Sequence, residues 1–230
     1  MKIFLDTADI SEIKEALDWG VIDGVTTNPA SIARIRGRSL EDILNEIVHV
    51  VSGPVSAQVV ARTSDEMIEQ GINLAKIAPN IVVKIPISPE GLIAIRKLSE
   101  LDIATHCTLV FSAVQALLAA KAGATYVSPF VARLNAIGTS GVEVVAQIVT
   151  ILENYGFDTE VMAASVKDPS QVLDIAISGA DACTIPMDVL RALSRHPLTD
   201  ELADRFLRDW RSGTTMLDDT GVAGDSGLTR

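Results

Sequence analysis

Positive charge is scarce in this chain. Its 230 residues carry 19 Lys and Arg against 30 Asp and Glu, a net charge of −11 at pH 7. A non-specific nucleic-acid binder needs a basic face, so the composition argues against that role. It leaves anionic substrates open, because the field inside one site can oppose the global charge. Cysteine is nearly absent too. Cys107 and Cys183 stand in apolar contexts, with no CxxC pair and no His/Cys grouping at zinc spacing. Reduced core thiols and no metal centre are expected. No apolar run reaches membrane-spanning length, and the opening MKIFLDTADI lacks a secretory apolar core. No membrane partner and a cytoplasmic location follow as expectations. The first predicted strand is not followed by G-x-G-x-x-G, which counts against a dinucleotide-binding version of any α/β fold.

What is present is a globular composition, 48% apolar and 21% charged, in a chain long enough to bury most of its apolar surface. Short β-branched runs alternate with longer amphipathic segments. Strands are predicted at Lys2–Asp6, Gly24–Thr27, Val55–Val59, Ile81–Ile85, Ile103–Val110, Thr125–Ser128, Thr159–Ala164 and Ala182–Ile185. Helices are predicted at Ser11–Trp19, Leu40–Val51, Ser64–Ala78, Glu90–Glu100, Ser112–Ala122, Val142–Tyr155, Pro169–Ile177 and Met187–Ser194, with one more at Leu198–Arg211. Asp9 or Ser11 can cap the first helix, and Ser64 the third. Strict βα alternation implies a parallel sheet with right-handed crossovers. Eight units predict an α/β fold of the (β/α)8 TIM-barrel type with an extra C-terminal helix, an open doubly wound sheet being the competitor. The predicted domain runs over residues 1–211. Residues 212–230 are polar and Gly-rich and read as a flexible tail.

NIVVKIPIS, residues 80–88, places one ammonium in an otherwise apolar strand. In a barrel the C-terminal strand ends form the active face. Asp6, Thr26, Asn28, Gln58, Lys84, His106, Thr108, Ser128 and Ser165 all fall near such ends, and within a strand the polar residues share a parity. A polar pocket over an apolar floor is expected. Lys84 then has two readings. It can snorkel, or pair with a carboxylate such as Asp6. Or, with desolvation lowering its pKa, it can act as an amine nucleophile that forms a Schiff base, with Asp6 as acid/base.

The segments FLDTADI, DGVTTNP, VVKIP, TLVFSAVQALLAAKAGATYVSPFVAR and YGFDTEVMAASVKDP resemble, in that order, those of small transaldolases and the related fructose-6-phosphate aldolases. The resemblance covers residues 1 to about 211. It implies a barrel enzyme that needs no cofactor or metal and acts on sugar phosphates. Lys84 matches the Schiff-base lysine, Asp6 the general acid/base and Thr108 the threonine holding the catalytic water. Asn28 and Ser128 match residues that bind the dihydroxyacetone hydroxyls. Arg133, Ser165 and Lys167 match the phosphate site. The resemblance further implies a homo-oligomer, a pentamer or decamer, with Leu198–Arg211 reaching a neighbour.

Several positions depart from the transaldolase pattern. Gln58 stands where transaldolases have glutamate and the aldolases glutamine. His106 fits neither group: it can supply the missing base or stand in for the asparagine's hydrogen bond to substrate. Phe130 is transaldolase-like, and Lys167 leans towards the aldolases. The resemblance thus implies transfer of a dihydroxyacetone unit, with release of free dihydroxyacetone as the alternative. A sugar-phosphate binding barrel without turnover is the non-enzymatic reading. His49, His196, Trp19 and Trp210 are expected to be structural.

Overall fold

The computed structural model describes residues 1–213. Its elements run β1 (Lys2–Asp6), α1 (Ile10–Asp18), β2 (Gly24–Thr26), α2 (Pro29–Ala33), α3 (Leu40–Val50), β3 (Val55–Gln58), α4 (Ser64–Ala75), β4 (Ile81–Pro86) and α5 (Pro89–Ser99). They continue with β5 (Thr105–Val110), α6 (Ala113–Lys121), β6 (Tyr126–Pro129), α7 (Val131–Asn135), α8 (Gly141–Tyr155), β7 (Glu160–Ala163), α9 (Pro169–Ile177), β8 (Ala182–Ile185), α10 (Met187–Leu193) and α11 (Pro197–Gly213).

The eight strands close in sequence order into a parallel barrel, β8 pairing back onto β1. This is the (β/α)8 architecture, and the open sheet is excluded by the closure. Short β-branched strands cannot bury both faces alone. One face packs against the helices through residues such as Leu5, Val25, Val83, Ile85 and Val127. The other forms the barrel floor from Phe4, Val82, Tyr126, Met162 and Ala182, with Phe4 and Tyr126 in an edge-to-face contact at 5.9 Å. Cys107 and Cys183 are buried thiols, their pKa pushed by desolvation to about 12 and about 11. They are packing groups, unreactive near neutral pH.

Eight of the helices begin at a polar cap, whereas the capping position of α7 is Phe130, with no side-chain cap. Asp9, Asn28, Ser39, Thr63, Ser88, Ser112, Ser140 and Asp168 each accept a hydrogen bond from a first-turn backbone N–H. The cap of α4 is Thr63 rather than Ser64; the Thr63 side chain accepts from Glu66 N, and Ser64 is the first helical residue. The single-turn helices α2 and α7 go beyond the predicted elements, because five residues are too few to show a helical period. Strand β5 begins at Thr105, two residues later than expected.

The chain divides into two compact units, Met1–Ala192 and the part from Leu193 onward. The described part of the second is dominated by α11, on which Leu198, Phe206, Leu207 and Trp210 are exposed. Of the predicted tail, residues 214–230 lie outside the described residues.

Candidate active site

Strand register brings the polar residues into tiers inside the barrel. Asp6 is level with Thr26, and Thr26 with Ser56. Gln58 is level with Lys84, and Lys84 with His106. Thr26, Ser56, Lys84, His106, Thr108, Ser128 and Thr184 are all buried. A layer of hydroxyls, one imidazole and one amine therefore sits on the floor formed by Phe4, Val82, Tyr126, Met162 and Ala182.

Lys84 is 4% exposed, and its nearest hydrogen-bond acceptor is the Thr27 carbonyl at 3.4 Å. Burial lowers its pKa below the ordinary lysine value, and the nearby Asp6 carboxylate opposes part of that effect. Asp6 is itself held in place. Its Oδ1 accepts from Asn28 Nδ2 at 3.0 Å and from Thr26 Oγ1 at 3.4 Å. Thr26 also meets the Thr184 hydroxyl at 2.6 Å. Asn28 uses its other end to cap α2: its Oδ1 accepts from Ser31 N, while Ser31 Oγ accepts from Asn28 N.

His106 is fully buried and its two ring nitrogens are both engaged. Nδ1 meets Ser56 Oγ at 2.9 Å, and Nε2 meets Ser128 Oγ at 2.6 Å. Ser128 has one proton, which it donates to the Met162 carbonyl at 2.7 Å. It must therefore accept from the ring, which puts the imidazole proton on Nε2 and leaves Nδ1 to accept from Ser56. Desolvation, reinforced by the Lys84 charge, holds the His106 pKa well below 6.5, so the ring is neutral. A neutral, doubly engaged imidazole is poorly suited to abstract a proton from water.

The Thr108 hydroxyl is buried and has no hydrogen-bond partner among the described protein groups, which leaves it open to a small polar ligand. The next residue, Leu109, has φ of 59° where the β5–β6 register shifts. Ser165 also sits in the left-handed region, at φ 58°. Its carbonyl accepts from Ala132 N and the Ala164 carbonyl accepts from Val131 N, which seats α7, and with it Arg133, beside Ser165. Phe130 packs edge-on against Phe111.

The sequence-predicted residues do not all share one cavity. A cavity of about 460 Å³ at the barrel mouth takes Asp6 and Lys167, together with Ser31 and Arg34, which sequence reading missed. Gln58 lines a separate groove of about 650 Å³ between α3 and α4, with Leu40, Val60 and Gln70. Thr184 was missed as well; its parity on strand β8 was the available signal. Among the described residues no group of three or more His, Cys, Asp or Glu could hold a metal, and no helix is long and apolar enough to cross a membrane.

A buried, desolvated amine beside a hydrogen-bonded carboxylate at the mouth of a closed barrel has the components for imine chemistry. The family profile described as Transaldolase/Fructose-6-phosphate aldolase matches residues 3–225. The chain belongs to the transaldolase/fructose-6-phosphate aldolase family. It is therefore an enzyme of the transaldolase/aldolase class. It is 54% identical over 213 residues to a "Probable transaldolase" of Thermoplasma volcanium, covering 92% of this chain and 96% of that one. It is 52% identical over 210 residues to a "Probable transaldolase" of Citrifermentans bemidjiense, covering 91% and 98%. Among solved structures it resembles one described as "Native KDPGal structure", with a TM-score of 0.57 and 18% identity over 91% of this chain and 93% of that one. That last likeness is one of fold.

Proposed function

We propose that this enzyme transfers a dihydroxyacetone unit between sugar phosphates through a Schiff base at Lys84. The observation that carries the reading is the buried amine, its pKa lowered by desolvation, next to the Asp6 carboxylate. The neutral Lys84 Nζ attacks the ketose C2 carbonyl, and loss of water leaves an iminium. The C3–C4 electron pair then moves into the iminium as the C4 hydroxyl gives its proton to Asp6, and an aldose leaves. The enamine carbon attacks the carbonyl of an acceptor aldehyde, which regains the proton from Asp6. Water finally hydrolyses the new iminium. Thr108 holds that water; Gln58, level with Lys84 across β3 and β4 although its side chain lines the neighbouring groove, can only hydrogen-bond to it, because an amide cannot take its proton. Asn28 and Ser128 hold the hydroxyls of the three-carbon unit. Phe130 walls the pocket, and Arg133, Ser165 and Lys167 grip the phosphate. The electron sink is the lysine, so the reading requires no metal or cofactor.

One observation favours the lyase outcome as a second reading. Gln58 and Lys167 are both aldolase-like, and His106 is already engaged with two serines and so does not replace the missing carboxylate. Release of free dihydroxyacetone then competes with transfer. The deciding assay supplies fructose 6-phosphate with and without erythrose 4-phosphate. Turnover only with the acceptor supports transfer. Sustained glyceraldehyde 3-phosphate release without it replaces transfer by cleavage. Silence in both arms rejects the substrate. A final helix shared between neighbours in a pentamer or decamer belongs to the same reading, and sedimentation of the full chain tests it.

A further inference from the structure

The mouth cavity that contains Asp6 is lined by charged side chains, most of which are already committed. Asp6 accepts from Asn28, Asp9 from Ser11, Glu12 from Thr7 at 2.6 Å and Asp188 from the backbone of Val189. Arg191 is held by both Glu15 oxygens, at 3.0 and 2.6 Å. Two cations remain. Lys167 makes only a backbone contact, its N–H donating to Gln171, and no hydrogen bond or ion pair involves the Arg34 guanidinium among the described residues. They come from different loops of the same cavity: Lys167 follows β7, and Arg34 is the C-cap of α2.

The placement of Arg34 is tied to the reacting centre. Asn28, which donates to Asp6, also caps the five-residue helix that ends at Arg34. Only one helical turn separates the residue that orients the carboxylate from the guanidinium. Arg34 also opens the run Arg34-Ile-Arg-Gly-Arg38, three cations within five residues of a chain that carries −11 overall.

We propose that Arg34 is a phosphate-binding and specificity-determining residue that closes with Lys167 on a phosphate monoester at the barrel mouth. The proposal rests on the sugar-phosphate reading above and adds a residue which that reading does not contain. A planar guanidinium can offer two parallel donors to a phosphate, while the ammonium acts as a point charge. With the neighbouring carboxylates committed elsewhere, both cations are exposed, and the dianionic group supplies the partner that neither has among the described residues.

The test is calorimetric titration of inorganic phosphate into the full-length protein and into Arg34→Ala, Arg34→Lys and Arg36→Ala, with melting temperature as a check on folding. Arg36→Ala removes the same charge two residues away and controls for the general field. Arg34→Ala should weaken phosphate binding about tenfold, Arg34→Lys should recover part of it, and Arg36→Ala should move it less than twofold, on the order expected for one charge-assisted contact. The preference for fructose 6-phosphate over fructose, in kcat/KM, should fall about tenfold in Arg34→Ala by the same arithmetic. Equal losses in Arg34→Ala and Arg36→Ala overturn the proposal, as does an unchanged constant in Arg34→Ala or no phosphate binding by the parent protein. If fructose 6-phosphate is not turned over but phosphate binding still depends on Arg34, the reaction fails and the anion site stands. If turnover holds and Arg34 is inert, the site alone fails.

Discussion

Asn28 donates its amide to Asp6 Oδ1 at 3.0 Å while its own oxygen caps the helix that begins at Pro29. One side chain thus sets the position of the proposed acid/base and the start of α2. The two jobs separate by substitution. Asn28→Asp keeps an acceptor for Ser31 N but sets a second carboxylate against Asp6, where like charge disfavours the ionised form. We expect a melting temperature near the parent's and kcat/KM down about a hundredfold, the scale of losing a correctly ionised acid/base. Asn28→Ala should lose activity and also about 1 kcal/mol of stability through the missing cap. Parent-like activity in Asn28→Asp would show that the Asn28–Asp6 bond does not serve the reaction.

Lys84 gives a pH prediction with a definite sign. Desolvation lowers its pKa from 10.5 and Asp6 raises it. The neutral amine should therefore form at lower pH than for a free lysine. Borohydride trapping of a ketose on the protein should reach half its maximal rate below pH 10.5. Asp6→Asn removes the raising influence, so the midpoint should move further down while turnover is lost. Lys84→Met should gain no covalent mass. A midpoint in Asp6→Asn that moves up, or stays where it is, contradicts the assigned pairing.

His106 predicts an acid-sensitive contribution to stability. Its folded pKa lies well below 6.5, so between the two values the unfolded chain binds a proton that the native chain does not. Stability from this group is present above pH 6.5 and is lost as pH falls towards the folded value, with a limiting slope of about 1.4 kcal/mol per unit. Melting curves between pH 7 and 5 should converge for the parent and His106→Asn, because asparagine does not titrate. Parallel curves would mean that the ring binds its proton as readily in the folded chain as in the unfolded one, against the Ser56–His106–Ser128 pattern.

The barrel floor should be costly to hollow out. Phe4 is fully buried, touches Tyr126, and lies where a Cβ on Gly24 would come within 2.5 Å of its ring. Phe4→Ala should destabilise by about 3–5 kcal/mol, as for other buried aromatic truncations. Gly24→Ala should cost about 1–3 kcal/mol by overpacking. Denaturant midpoints measure both.

The eight βα units, the closed barrel and Lys84 in β4 were legible in the sequence, since side-chain alternation and capping chemistry are local properties. The tier of Asp6, Thr26, Lys84, His106 and Thr108 was legible for the same reason: parity along a strand decides which face a residue takes. What a buried group touches across the barrel is decided by strand register, and only closure sets that. The sequence leaves His106 free to act as a base. In the barrel it lies between Ser56 and Ser128, on strands β3 and β6, and its nitrogens are both engaged. Arg34 is equally unmarked in the sequence, an arginine in a polar loop. It gains a place at the mouth because Asn28, fixed by Asp6, starts a single-turn helix too short to leave a period. Local pattern determined the elements and the reactive types; long-range register and loop packing decided which groups remain unpartnered, and therefore which can meet a ligand.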